Sequence, residues 1–146
     1  MKLSIFIQYA ETLLPFLAVI VVTALIIFLT PVRYTDIFEP SVYDVDSKTI
    51  YAQIQAHPDQ FVFIDVRPED VYRRLHAEGS QSMPLHTLYD ERLKLPKDKT
   101  IILICSGGRA SGVGYSYLQH YGFTKIARVH GGIEQWVLDG LPVVKE

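Results

Sequence analysis

A parallel α/β sheet with helices on both faces, preceded by one separate apolar helix, is the fold class this sequence predicts. Three observations predict it. Phe61 to Asp65 and Ile101 to Cys105 are continuous apolar runs, the pattern of strands buried on both faces of a parallel sheet. Segments of helical periodicity alternate with such runs, as they do where crossover helices join the strands. Thr12 to Val32, 21 residues, carries no charge, and Leu13 to Leu29 is almost wholly aliphatic or aromatic. At 146 residues, 49% hydrophobic and 21% charged, the chain has the size of one globular domain with an appendage. Four segments are expected: a flank at 1–11, a membrane-spanning helix at 12–32, a linker at 33–41 and a domain at 42–146.

As a helix rising about 1.5 Å per residue, residues 12–32 extend roughly 30 Å, the thickness of a bilayer's hydrocarbon core. Pro15 falls near the first turn, where its missing N–H costs little. Val22-Thr23-Ala24 resembles a signal-peptide cleavage site, but Leu25-Ile26-Ile27-Phe28-Leu29 continues the apolar run past it. An uncleaved anchor in the lipid bilayer is therefore the expectation. Only Lys2 and Arg33 flank it closely, so the positive-inside rule has little to act on. Its direction is toward a cytoplasmic N-terminus and an exported domain, because Asp36, Glu39, Asp44 and Asp46 follow without a basic cluster. A lone cysteine forms no internal disulfide and says nothing about compartment. Pro31 to Pro40, with two prolines and mixed charge, reads as the linker. From residue 31 on there are 13 basic and 15 acidic residues, a balance that offers no basic face for nucleic acid.

Val42 to Val45 is expected as a short edge strand, after which Asp46 or Ser47 caps a helix to about His57 that Pro58 stops. Phe61 to Asp65 is the first buried strand, and Pro68 opens a short helix with Val71, Tyr72 and Leu75. A helical turn from Thr87 to Arg92 leads through Leu95-Pro96-Lys97-Asp98-Lys99 to the second buried strand, Ile101 to Cys105. A helix from Ser111 to Tyr121 ends at Gly122. Lys125 to Val129 is a third strand, and Gly131-Gly132 starts a last helix to about Asp139. Parallel sheets place their sites at the carboxyl ends of strands. Asp65, Cys105 and His130 all stand at such ends.

The chemistry gathers at Cys105-Ser106-Gly107-Gly108-Arg109-Ala110-Ser111, which holds the only cysteine. Two glycines allow positive φ, so that successive N–H groups curl toward one point, the sulfur of Cys105. The following helix start adds unpaired N–H groups and the positive end of its dipole, a field that favours a thiolate there. A lone cysteine at a strand end also occurs as a small buried hydrophobe. That role does not call for a glycine pair, an arginine and a helix start together.

Three further segments carry a resemblance over roughly Val42 to Val144. They are Phe61-Val62-Phe63-Ile64-Asp65-Val66-Arg67; His76-Ala77-Glu78-Gly79-Ser80 with the later Met83-Pro84; and Gly131-Gly132-Ile133-Glu134-Gln135-Trp136 with Gly140-Leu141-Pro142-Val143. Around a Cys-x-x-Gly loop, this order resembles the rhodanese-like sulfurtransferases. The resemblance implies a double displacement. A Cys105 thiolate takes the outer sulfur of thiosulfate or a similar small sulfur-containing anion, and passes it from a cysteine persulfide to a thiol, cyanide or a protein thiol, with no cofactor. It implies that the amides of Ser106, Gly107, Gly108, Arg109, Ala110 and Ser111 bind the anion, with hydroxyls from Ser106 and Ser111 and a charged fork from Arg109. Many members carry arginine five residues after the cysteine, where this chain has Ala110. Related cysteine phosphatases need it six after, where Ser111 stands, which argues against phosphoester hydrolysis. Asp65 and Arg67 are expected to pair and brace the strand end, and His76 and His130 to be structural. Five scattered histidines and one cysteine give no metal-ligand spacing. The alternative is a non-catalytic, membrane-anchored binding or regulatory module on the same fold.

Overall fold

Residues 2–29 and 42–146 are described in this computed structural model, with side chains for 13–26 and 42–146. The chain divides into two units, Met1–Glu39 and Pro40–Glu146.

In the first unit, α1 runs over Lys2–Leu29 with Pro15 inside it. Ten large apolar side chains between Leu13 and Ile26 are exposed around its whole circumference, Leu14 and Phe16 by about 70%. The helix expected here is thus present, but among the described residues no helix is long and apolar enough to cross a membrane. Side chains are described for residues 13–26 of this span. The rest of the expected span, the linker at 33–41 and the flank at 1–11 lie outside the residues whose side chains are described.

In the second unit a five-stranded sheet has the order β1-β6-β5-β2-β4, every pair parallel. Its strands are β1 (Asp44–Val45), β2 (Phe61–Asp65), β4 (Gln81–Ser82), β5 (Thr100–Ile104) and β6 (Ile126–Val129). β2 and β5 pair along their whole length, from Phe61 opposite Thr100 to Asp65 opposite Ile104. Because successive side chains of a strand point to opposite faces, β5 feeds two cores. Ile101, Leu103 and then Cys105 pack with Ile64, Val66, Leu88 and Leu118 on one face. Ile102 and Ile104 pack with Ile50, Phe63, Val129 and Trp136 on the other. Each fully buried Ile or Leu contributes about 1.5–3 kcal/mol, so this strand is the most firmly held line in the domain.

The helices close both faces. α2 (Ser47–Ala56) starts where Asp46 accepts from the Thr49 N–H at 2.9 Å, the expected cap. α3 (Glu69–Arg74) and α4 (Leu85–Glu91) follow Pro68 and Pro84, whose fixed φ suits a helix entry. α5 covers Arg109–His120 and α6 Gly132–Leu138. Two findings depart from the sequence reading. α5 begins two residues before Ser111, because Gly108 in the left-handed conformation ends the loop abruptly. A second sheet also exists, β3 (His76–Ala77) antiparallel to β7 (Val143–Val144), tied to α6 by the Trp136 indole donating to the Pro142 carbonyl at 2.9 Å. Two-residue strands are too short to show a period, so β3, β4 and β7 have no signature in the sequence.

Candidate active site

Cys105 is the first residue beyond β5, and its sulfur is almost wholly buried. The backbone turns at once. The carbonyls of Cys105 and Ser106 accept from the Ile133 and Glu134 N–H groups at the start of α6, at 2.8 and 3.2 Å. This docking needs a residue without a side chain at Gly132. A Cβ there would stand 2.2 Å from the Cys105 oxygen and 2.5 Å from the Ser106 oxygen, and its φ is +60°. With the loop's first carbonyls drawn to α6, the chain returns through Gly108 at φ +104° and delivers the Gly108 N–H to Cys105 Sγ at 3.1 Å. Gly107 is not among the positive-φ glycines, so one glycine of the pair makes the turn. Of the successive N–H groups expected to converge on the sulfur, that of Gly108 makes a hydrogen bond to it.

Ser111, in the first turn of α5 and fully buried, places Oγ 3.4 Å from Sγ while donating to the Gly108 carbonyl at 2.9 Å. Its single proton therefore has two acceptors to choose between, the carbonyl and the sulfur. A protonated sulfur can donate to Ser111 Oγ, whereas a thiolate draws the hydroxyl proton to itself.

Sequence reasoning missed the group that fixes this arrangement. Arg128, from β6, donates Nη1 to the Gly108 carbonyl at 3.1 Å, and the Gly112 N–H reaches the same oxygen at 3.0 Å. Arg128 is held in turn by Asp44 of β1 through Nε and through Nη2 at 3.3 Å. Burial pushes the Asp44 carboxyl up, but the hydrogen bond and charge of Arg128, joined by those of His130, outweigh it and hold the group below its ordinary value. No local signal marks Arg128. It reaches the loop through the pairing of β6 with β5, a long-range fact.

The sulfur sits at the floor of a cleft of about 680 Å³. One wall is Val66, Arg67 and Pro68; the other is Pro84, Leu85, His86 and Tyr89; the loop contributes Ser106, Gly107, Arg109 and Ala110. Arg109 and Ser106 are exposed on the rim, and Gly108 and Ser111 are buried. Asp65 does not line the cleft. It is fully buried and takes Arg67 in a two-pronged pair, Nε at 3.0 Å and Nη2 at 2.7 Å, while Nη2 also donates to the Leu75 carbonyl. The pairing expected of these two is formed, and it ties the Arg67 guanidinium to the strand end. His76 is buried, stacked on Tyr72 with ring centres 3.8 Å apart, and His130 is exposed beside Asp44; neither lines the cleft. Among the described residues no cluster of potential metal ligands occurs.

The comparisons agree with this geometry. Residues 47–139 match the family model of the rhodanese-like domain. A sulfurtransferase of Allochromatium vinosum is 27% identical over 104 residues, 70% of this chain and 95% of that protein. A thiosulfate sulfurtransferase of Pseudomonas savastanoi pv. phaseolicola is 32% identical over 85 residues, 58% of this chain and 80% of its own length. Other relatives are longer, and the chain spans 25–30% of them. Among solved structures, a rhodanese-related protein of Thermoplasma volcanium superposes with a TM-score of 0.61 at 26% identity, covering 71% of this chain and 99% of that one. A parallel sheet order of β1-β6-β5-β2-β4, a lone cysteine cradled where β5 ends, and a family match over 47–139 lead to one placement: the chain belongs to the rhodanese-like domain family.

Proposed function

We propose that this protein is a sulfurtransferase that works through a persulfide on Cys105. The observation that carries the reading is a buried sulfur at the floor of an open cleft that accepts the Gly108 N–H at 3.1 Å, with the Ser111 hydroxyl 3.4 Å away and free to turn its proton to a thiolate. The Cys105 thiolate attacks the outer sulfur of thiosulfate. The S–S bond of the donor breaks, its electron pair leaves with sulfite, and the Cys105 persulfide remains. An acceptor thiolate or cyanide then attacks the terminal sulfur, the persulfide S–S bond breaks, and the Cys105 thiolate is restored. Both steps collect negative charge at the loop, which fixed donors in a water-poor site stabilise. Arg109 on the rim supplies a cation for the donor's sulfonate, and the Asp65–Arg67 pair supports the wall behind it. No cofactor or metal enters these steps.

The test is the intact mass of the reduced full chain before thiosulfate, after it, and after cyanide. One sulfur gained, then lost to cyanide, and absent in Cys105→Ser, is the expected result. A folded, reduced protein that gains none overturns the proposal in favour of a binding module. Arg109→Ala is expected to raise the KM for thiosulfate several-fold; an unchanged KM removes Arg109 from donor binding.

The exposed apolar circumference of α1 supports a second proposal, that residues 12–32 anchor the chain in a bilayer, since an apolar surface of this extent is costly in water. Partition into the membrane fraction that resists alkaline carbonate is the expected result. Release by carbonate overturns it.

A further inference from the structure

We infer that the acceptor of the second half-reaction is a thiol borne on an uncharged, apolar body, the size of a short peptide side-chain cluster, and not a small hydrophilic thiol. This rests on the sulfurtransferase reading above. Its ground is the character of the cleft. Thiosulfate and cyanide fill a small corner of about 680 Å³, whereas pockets of roughly 300–1,000 Å³ hold ligands of many heavy atoms.

The walls set the chemistry. Val66, Pro68, Pro84, Leu85, Tyr89 and Ala110 present carbon to the space above the sulfur. Arg67, the cation within the walls, is 6% exposed, and its Nε and Nη2 are committed to Asp65 and the Leu75 carbonyl, which leaves Nη1 alone for a ligand. Positive charge for an anionic acceptor is thus limited to the Nη1 edge of Arg67, whose charge Asp65 already balances, and to Arg109 on the rim. Against these carbon walls a polar or charged acceptor would lose its water for few partners, those of the loop, His86 and the arginines, whereas an apolar one would gain by leaving water.

The walls are also built in advance. The Met83 N–H donates to the Asp65 carbonyl at 2.9 Å and the Leu85 N–H to the Val66 carbonyl at 3.0 Å, so the start of α4 is bonded to the end of β2. Tyr89 is held by Tyr117, edge to face with ring centres 4.2 Å apart, and the Tyr117 hydroxyl donates to the Tyr89 carbonyl. Little ordering remains to be done when an acceptor binds, which lets apolar contact appear as affinity. The atoms balance as in the general scheme: R–S⁻ attacks the terminal sulfur, the Cys105 S–S bond breaks, and R–S–SH leaves with the proton of the persulfide.

The experiment loads the full chain with thiosulfate, confirms the persulfide by intact mass, and measures kcat/KM for two matched pairs of acceptors. One pair is 2-phenylethanethiol against 2-mercaptoethanol. The other is a blocked Leu-Cys-Leu peptide against Ser-Cys-Ser. Each apolar member is expected to be faster by about 10-fold or more, the discrimination one or two buried methylene groups give. Leu85→Asn and Tyr89→Ser are expected to bring both ratios toward one. A larger ratio for the peptides points to a protein cysteine as the source of the thiol, and a larger ratio for the small thiols points to a free metabolite. Ratios near one in both pairs, on a chain that does form the persulfide, overturn this inference alone. Failure to form the persulfide overturns the sulfurtransferase reading and this inference with it.

Discussion

At Gly108 one residue faces two ways, its N–H to the Cys105 sulfur and its carbonyl to Ser111, Gly112 and Arg128. Three donors on one oxygen leave the residue little freedom, so the direction of its N–H is fixed before any anion arrives. Arg128 is the only one of the three donors that comes from outside the loop and α5. Arg128→Met is expected to leave the fold intact and to slow persulfide formation at saturating thiosulfate about 10-fold, roughly 1.4 kcal/mol of barrier, with KM held within about twofold. A rate unchanged in the folded variant would end the positioning role. Gly132 poses a harder constraint, since a side chain there meets backbone oxygens at 2.2 and 2.5 Å. Gly132→Ala is expected to cost about 2–4 kcal/mol through overpacking and left-handed strain. Gly79→Ala, with φ +81° and open space around it, isolates the strain and should cost about 1 kcal/mol. Equal losses in denaturant titration would show that the clash relaxes. Much of this neighbourhood was legible in the sequence. Cys105, Gly108, Arg109 and Ser111 fall within seven consecutive residues, and such nearness along the chain is what a sequence displays. Arg128 and Asp44 were not legible, because only strand pairing brings them to the loop, and the glycine pair at 131–132 gave a resemblance without its reason.

At the scale of elements, the strands and helices that could be read were those long enough to show a period. Phe61–Asp65 was placed to the residue, and α2 and its Asp46 cap stand where the capping pattern put them. The start of α5 was misplaced because the cap is Gly108, whose conformation, not a side chain, ends the loop. β1 is the element most exposed to chemistry. It has two residues, pairs with β6 alone, and adds the Asp44–Arg128 contact to its ladder. That contact makes the edge sensitive to acid. Asp44 is held below its ordinary value of 3.8 in the folded chain, so folding favours its ionised form. The stabilisation is fully present above the unfolded pKa and is lost as pH falls through the lower, folded one. Asp44→Asn is therefore expected to lower stability by about 0.5–1 kcal/mol at neutral pH, the range for a partly exposed pair. The gap from the parent chain should close below about pH 4. Thermal melts of both proteins between neutral pH and about pH 3 test this, and a gap independent of pH would assign the loss to something other than the carboxylate.

Over the whole domain, one sheet serves two cores, and the site hangs from the strand they share. β5 sends Leu103 to one face and Ile102 to the other, and Cys105 follows within one residue of its end. A sequence shows such a strand as a continuous apolar run but does not show which helix covers which face. The structure assigns Leu118 of α5 to the face of Cys105 and Ile50 of α2 to the opposite face, where Trp136 also lies. If the two cores are one folding unit, damage to either must be felt in both. The single tryptophan makes this measurable, since it reports from one face only. Ile50→Ala and Leu118→Ala each empty a buried aliphatic site and should cost about 2–5 kcal/mol. Urea unfolding of the full chain, followed by Trp136 fluorescence, is expected to shift its midpoint in both variants, although Leu118 is on the far side of the sheet from the probe. Loss of the capacity to form the Cys105 persulfide should track the same midpoints. A Leu118→Ala protein whose Trp136 transition stayed in place, while persulfide formation failed earlier, would instead divide the domain along its sheet. The loop would then depend on one core alone.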